Sequence, residues 1–186
     1  MLYKFSDEAP ITPDDIKTDT NSGMPSKAIR MIDKIKVLDF NAGFYKKGYV
    51  KAIKTVNPKE WFFQAHFHQD PVCPGSLGIE SFLQTTRFFL LEKFSINPDA
   101  YDPGMLTEKS HEWIYRGQIV PENKEIQIQA HIKDASLTGE DYTVVADGAL
   151  SVDGVCIYEM KNFGVVFKKI PASKKILKTQ KIYQDK

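Results

Sequence analysis

The chain has 186 residues, with Lys+Arg 25 against Asp+Glu 24 and a formal charge of +1. That length suits a single domain with a sizeable core, and the balanced charge argues against nucleic acid as a partner. Its two cysteines, Cys73 and Cys156, cannot form a disulfide framework and lack metal-site spacing, while no apolar stretch approaches a membrane span and the acidic N-terminus lacks a signal-peptide pattern. The expectation is a cytoplasmic protein with no membrane partner.

Residues 1–23 are polar and contain Pro10, Pro13 and Gly23, which predicts an extended lead-in. Ala28 to Val37 mixes Ile29, Met31, Ile32, Ile35 and Val37 without a clean period and reads as an ordered approach to the core. Tyr45 to Val56 is rich in β-branched and aromatic residues, a strand ended by Asn57-Pro58, and the aromatic run Trp61-Phe62-Phe63 is taken as another extended segment. From Ser76 to about Phe94 the chain carries helix formers with apolar residues on nearly every side, so the helix is buried. Asn97-Pro98 and Asp102-Pro103-Gly104 then predict a loop, and Trp113 to Arg116 a strand.

Glu125 to Ile132 alternates strictly, with the isoleucines on one face and His131 on the polar face, where it is expected to meet solvent. Thr143–Leu150 and Val155–Met160 are two more strands, the second continuing through Lys161 to Lys169. Asp153-Gly154 between them is a two-residue hairpin signal, while Asp147-Gly148 marks a bulge. One buried helix followed by antiparallel strands gives an α+β fold in which the sheet wraps the helix. Basic residues from Lys168 to Lys186 and acidic ones from Asp7 to Asp19 read as solvated tails. The expected boundaries are 1–23 for the lead-in, 24–170 for the domain and 171–186 for the basic tail.

The richest stretch runs from Ala65 to Gln84. His66 ends the aromatic run, Pro74-Gly75-Ser76 follows as a turn, and Glu80 lies fourteen residues after His66 in the first turns of the helix. A base, an acid and a helix N-terminus side by side outline a proton-transfer site. His68 stands two residues from His66, so in a strand both face one metal, but no third ligand has a convincing spacing and no metal is expected. Cys73 reads as a packed thiol. Trp113, Tyr115 and Arg116 read as packing and surface charge, with lining of a substrate channel as the alternative.

This run resembles the dehydratases that act on 3-hydroxyacyl groups carried by acyl carrier protein, in the branch of β-hydroxydecanoyl dehydratase/isomerase and the dehydratase domains of polyunsaturated fatty acid synthases. Lys47-Gly48-Tyr49-Val50, Asn57-Pro58, Gly117-Gln118-Ile119-Val120-Pro121 and Ala146-Asp147-Gly148 recur in the family's order, and coverage runs from about Met24 to Phe167. Arg116 and Gly75-Ser76-Leu77-Gly78-Ile79-Glu80 look more like the polyunsaturated synthase branch. The resemblance implies a hotdog fold, a homodimer whose sites lie between protomers, and a substrate carried on the phosphopantetheine arm of an acyl carrier protein, with no other cofactor. It assigns His66 as the base and Glu80 as the acid, taken from different protomers, and the Gly75 N–H to the thioester oxygen. Val72 matches a residue whose carbonyl orients the histidine, and Gln84, one turn after Glu80, is placed to hydrogen-bond its carboxyl. Glutamate in place of the isomerase's aspartate supports dehydration to trans-2-enoyl thioesters and leaves isomerisation open. Two rivals share the fold: an acyl thioesterase, in which the carboxylate activates water, and a non-catalytic acyl-binding domain.

Overall fold

Residues 16–17, 23–108 and 110–171 are described by the computed structural model of the chain. Of the expected lead-in only 16–17 and 23 fall within that set, and of the basic tail only 171; the remainder lies outside the described residues. The elements are β1 (Ile16–Lys17), β2 (Lys34–Asp39), β3 (Tyr49–Thr55), α1 (Trp61–Ala65), α2 (Gly75–Phe94), β4 (Tyr101–Met105), β5 (Glu112–Tyr115), β6 (Glu125–Thr138), β7 (Asp141–Val152) and β8 (Val155–Lys169), with short 3-10 turns at Lys27–Ile29 and Pro98–Ala100.

The helix α2 organises the rest. Phe82, Phe89 and Leu90 have no exposed surface, and burying a side chain of this size contributes about 1.5–3 kcal/mol. Polar residues on this helix are buried as well, and they find partners along it. Ser81 Oγ donates to Gly78 O (2.7 Å), Thr85 Oγ1 to Ser81 O (2.8 Å) and Thr86 Oγ1 to Leu83 O (3.0 Å). Those local bonds let hydroxyl side chains enter the core without a desolvation cost left over. The helix stops at Ser95, which takes the left-handed conformation (φ 47°), and the Ile96 N–H turns back to Leu91 O at 3.0 Å while the Ile96 side chain is buried.

All pairings in the sheet are antiparallel, in the order β1-β2-β3-β6-β7-β8-β4, with β5 also on β8. Along β6 the inward residues Ile126, Ile128, Ala130 and Ile132 are buried, as the alternation predicts, and α2 packs on β3, β6, β7 and β8. Two glycines set how closely. A Cβ at Gly148 would lie 2.3 Å from the Phe82 ring, and one at Gly78 would lie 2.1 Å from the Tyr158 ring, so larger residues at either position would push helix and sheet apart. Gly148 also follows the β-bulge, where the β7–β8 register shifts between Ala146 and Gly148. The hairpin at Asp153-Gly154 has φ of 49° and 85°, both positive as a two-residue turn of the primed type demands. Among the described residues no helix is long and apolar enough to cross a membrane.

Four expectations need correction, the fourth at His131. Trp61 to Ala65 is a short helix, because Phe62 and Phe63 reach the core from consecutive positions, which an extended segment with opposed side chains does not allow. Tyr101 to Met105, expected as a loop around Pro103-Gly104, is strand β4 paired with Val165–Lys169; it sits at the sheet edge, where proline's missing donor is tolerated. The strand expected from Tyr45 begins only at Tyr49, since residues before Gly48 form a loop that folds over the outer face of the sheet.

That loop covers His131, which was expected in solvent. The His131 ring stacks on Phe44 with centroids 3.7 Å apart and lies 4.9 Å from Tyr49, and its Nδ1 accepts the Phe44 N–H at 3.3 Å. Burial pushes its pKa down to about 4, against the opposing pull of the Asp147 charge. Alternation along β6 correctly gives the face on which His131 stands; it carries no information on what covers that face.

Candidate active site

The short helix α1 delivers His66. Its first residue, Trp61, is anchored by an indole N–H donated to Ala28 O (2.7 Å), and the helix closes at His66, whose N–H bonds Phe62 O at 2.9 Å. Beyond it Phe67 and Gln69 both have positive φ, 60° and 59°, an uncommon state for side-chain-bearing residues. This tight path doubles the chain back so that the Val72 carbonyl lies 3.0 Å from His66 Nδ1. A carbonyl only accepts, so Nδ1 carries the proton and Nε2 keeps its lone pair. The half-buried ring rests against Phe67, with centroids 4.1 Å apart.

Glu80 stands on the second turn of α2, half-buried, and Gln84 Nε2 donates to its Oε1 at 2.7 Å. The orientation of that amide is fixed by its other bonds. Gln84 Oε1 accepts the Met31 N–H at 2.8 Å and Nε2 also donates to Ile29 O at 2.8 Å, so the amino group must face Glu80. Gln84 has no exposed surface and its amide is satisfied on both atoms. The segment that resisted periodic analysis, residues 28–37, therefore serves the site through its backbone at Ile29 and Met31.

Gly75 opens α2, where the first N–H groups have no carbonyl partner within the helix; the N-cap is Pro74, which offers no side-chain bond. The space above Gly75 is taken by aromatic rings. A Cβ there would come within 3.0 Å of the Trp113 indole and 3.4 Å of the Tyr115 ring. These two residues of β5 pack on the helix N-terminus. Arg116, next along, pairs with Glu159 at 2.5 Å.

Cys73 is 2% exposed, and burial, reinforced by the nearby Glu60 carboxylate and opposed by Lys54, pushes its thiol up to about 12. A thiol so placed stays protonated and packs as an apolar group. His68 is exposed and, among the described residues, no three His, Cys, Asp or Glu side chains gather in a way that could hold a metal ion.

Within the described residues no hydrogen bond or ion pair joins His66 to Glu80; each is oriented by its own partner. The residue that sequence reasoning missed is Tyr158, whose ring touches both Trp113 and Tyr115 and closes against Gly78. Its only sequence signal was membership of a strand.

Comparison with known proteins supplies the family. The chain is 36% identical over 141 residues to one of the proteins that make up the polyunsaturated fatty acid synthase of Thraustochytrium sp., a match covering 72% of this chain but 9% of that much longer protein. Among solved structures, the dehydratase heterocomplex ApeI:P from Xenorhabdus doucetiae superposes with a TM-score of 0.56 at 12% identity, covering 85% of this chain and 94% of that one; at such identity the likeness speaks for the fold. Residues 24–161 match the model of the FabA-like domain. The chain belongs to the FabA-like family, with the hotdog fold of a long helix wrapped by an antiparallel sheet.

Proposed function

We propose that this domain dehydrates 3-hydroxyacyl thioesters, carried on the phosphopantetheine arm of an acyl carrier protein, to trans-2-enoyl thioesters. The observation that carries the reading is the pair of fixed orientations: His66 with Nε2 unprotonated beside a carbonyl-held Nδ1, and Glu80 gripped on one oxygen only. His66 Nε2 takes the proton from C2, and the C2–H pair becomes the new double bond. The C3–O bond breaks as Glu80 Oε2, the oxygen that Gln84 leaves open, donates a proton to the departing hydroxyl, which leaves as water. Negative charge gathering on the thioester oxygen is met by the Gly75 N–H and the positive end of α2. Cys73, held protonated, stays outside the chemistry.

The resemblance to the dehydratases supports sites completed by a second copy of the domain, one copy giving the base and the other the acid. The relative's name ties it to polyunsaturated fatty acid synthesis, and the same pathway class is proposed here.

The test mixes His66→Ala and Glu80→Gln chains, each inactive alone, under conditions where protomers exchange, and follows enoyl product on a loaded carrier protein by mass spectrometry. Partial recovery is expected, because one site per mixed pair is whole. Mixed pairs that form yet recover nothing would sink the shared site, and release of free thiol in place of enoyl product would turn the reading toward thioester hydrolysis.

A further inference from the structure

Tyr158 lies near the start of β8 with no exposed surface, and its hydroxyl has no hydrogen-bond partner among the described residues. A phenol buried in this way has given up water and received nothing in return, which is uncommon and calls for a physical reason. The other buried hydroxyls near the helix start are paired: Ser81 and Thr85 both bond carbonyls of α2. The Tyr158 hydroxyl is not paired in this way; among the described residues the other buried polar atoms without a partner are on Glu60, Arg87 and His111.

Its position supplies the reason. The hydroxyl oxygen lies 2.9 Å, and the ring as little as 2.1 Å, from where a Cβ at Gly78 would stand, so the phenol presses on the first turn of α2. In that turn the Leu77 N–H bonds Pro74 O at 2.9 Å, while among the described residues the Gly75 and Ser76 N–H groups have neither a carbonyl nor a capping side chain. The ring meets Trp113 edge-on at 5.5 Å and Tyr115 at 5.0 Å, and those two rings are the ones that lie over Gly75. An orphan side-chain donor and orphan backbone donors thus meet under one aromatic cover. Both kinds of donor call for the same ligand, an oxygen that accepts hydrogen bonds and gains negative charge.

We infer that the Tyr158 hydroxyl is a catalytic residue that donates a second hydrogen bond, beside the Gly75 N–H, to the carbonyl oxygen of a bound acyl thioester. The inference rests on the dehydration reading above and adds a donor to it. Burial, with the Tyr115 and Cys73 groups acting in the same direction, raises the Tyr158 pKa, so the phenol keeps its proton and acts only as a donor. Trp113 and Tyr115 are 38% and 43% exposed and sit on a strand of four residues, so the thioester reaches the hydroxyl by parting this ring pair from the helix start. Removing the hydroxyl breaks no hydrogen bond among the described residues, which separates this role from a structural one.

The experiment compares the full chain with its Tyr158→Phe variant using two probes. The first is turnover of a 3-hydroxyacyl pantetheine thioester: kcat should fall roughly a hundredfold, the scale of losing one oxyanion donor, with KM within about threefold and the melting temperature equal or higher. The second is the infrared carbonyl band of a bound saturated acyl pantetheine thioester, which has no hydroxyl to lose. The band should move to lower frequency on the wild-type protein and move less on the variant. An unchanged kcat with intact wild-type dehydration, an equal band shift in both proteins, no shift in the wild type, or a lowered melting temperature would each overturn the assignment. A wild type that polarises the carbonyl through Tyr158 but forms no enoyl product would leave the donor in place and remove the dehydration reading instead.

Discussion

His66 and His131 carry the same imidazole, both half-buried and both fixed through Nδ1, yet they are held from opposite ends of a hydrogen bond. At His66 the partner is the Val72 carbonyl, which forces the proton onto Nδ1 and leaves Nε2 basic. At His131 the partner is the Phe44 N–H, so Nδ1 is an acceptor and the proton sits on Nε2. Stacking adds to the contrast. His131 is clamped flat against Phe44 at 3.7 Å with 15° between the rings, whereas His66 leans on an exposed Phe67 at 36°. A histidine's task is set by the polarity of its first partner and by what covers the other nitrogen, and neither is visible in the residue's own position along the chain.

The largest expected effect separates the two. His66→Ala should lower dehydration by roughly two or more orders of magnitude, the scale of a positioned base, with the melting temperature little changed. His131→Ala should do the reverse, keeping turnover within about twofold while the melting temperature falls by several degrees as the loop over β6 loses its stacking surface. Adding Glu80→Gln to His66→Ala should cost little beyond either alone, since groups that act as a unit are strongly non-additive. Turnover lost at His131 and kept at His66 would break the comparison outright.

A smaller effect is a pH dependence that belongs to His131. Its pKa falls from an ordinary 6.5 to about 4 in the folded chain, so between those values the unfolded chain binds more protons than the folded one. The stability that comes from keeping the ring neutral is therefore complete above pH 6.5 and is lost as pH falls toward and through 4. Calorimetry of wild type and His131→Gln across this window should show the wild type's advantage shrinking on acidification, by about 2–4 °C for each kcal/mol lost in a chain of this size. A difference in melting temperature that is flat from pH 7 to 4.5 would mean that His131 is as free to titrate as a solvated ring.

The same contrast explains which features were legible in the sequence. Local chemistry was readable where one residue type has one solution: Asp153-Gly154 for a primed turn, Asp147-Gly148 at a bulge, the isoleucines of β6, and the limits of α2 to within a residue or so. The contact of His66 with the Val72 carbonyl, expected from the resemblance, and the bond of Gln84 to Glu80, expected from their one-turn spacing, are both present. What escaped depended on distant chain. The loop over His131, the edge pairing that makes Tyr101–Met105 a strand despite Pro103, and the grip of Ile29 and Met31 on Gln84 all join residues far apart in sequence. Tyr158 is the extreme case, because a missing partner has no sequence signature at all.

The smallest effect probes how His66 is held. Gln69 is exposed, makes no described hydrogen bond with its side chain and occupies φ 59°. A left-handed conformation costs a side-chain-bearing residue about 1–2 kcal/mol, of which glycine's greater freedom in the unfolded chain takes back a part. Gln69→Gly should therefore stabilise the domain by roughly 0.5–1 kcal/mol, measured by denaturant unfolding. Turnover should stay within about twofold, because His66 is oriented by the Val72 carbonyl at 3.0 Å and by the C-terminal end of α1, neither of which includes the Gln69 side chain. A variant that gains stability but loses tenfold or more in kcat would show that the strained path through Gln69, more than the carbonyl bond, keeps the ring in place. The contrast with His131 would then lie in the stiffness of the two loops and not in the polarity of the two hydrogen bonds.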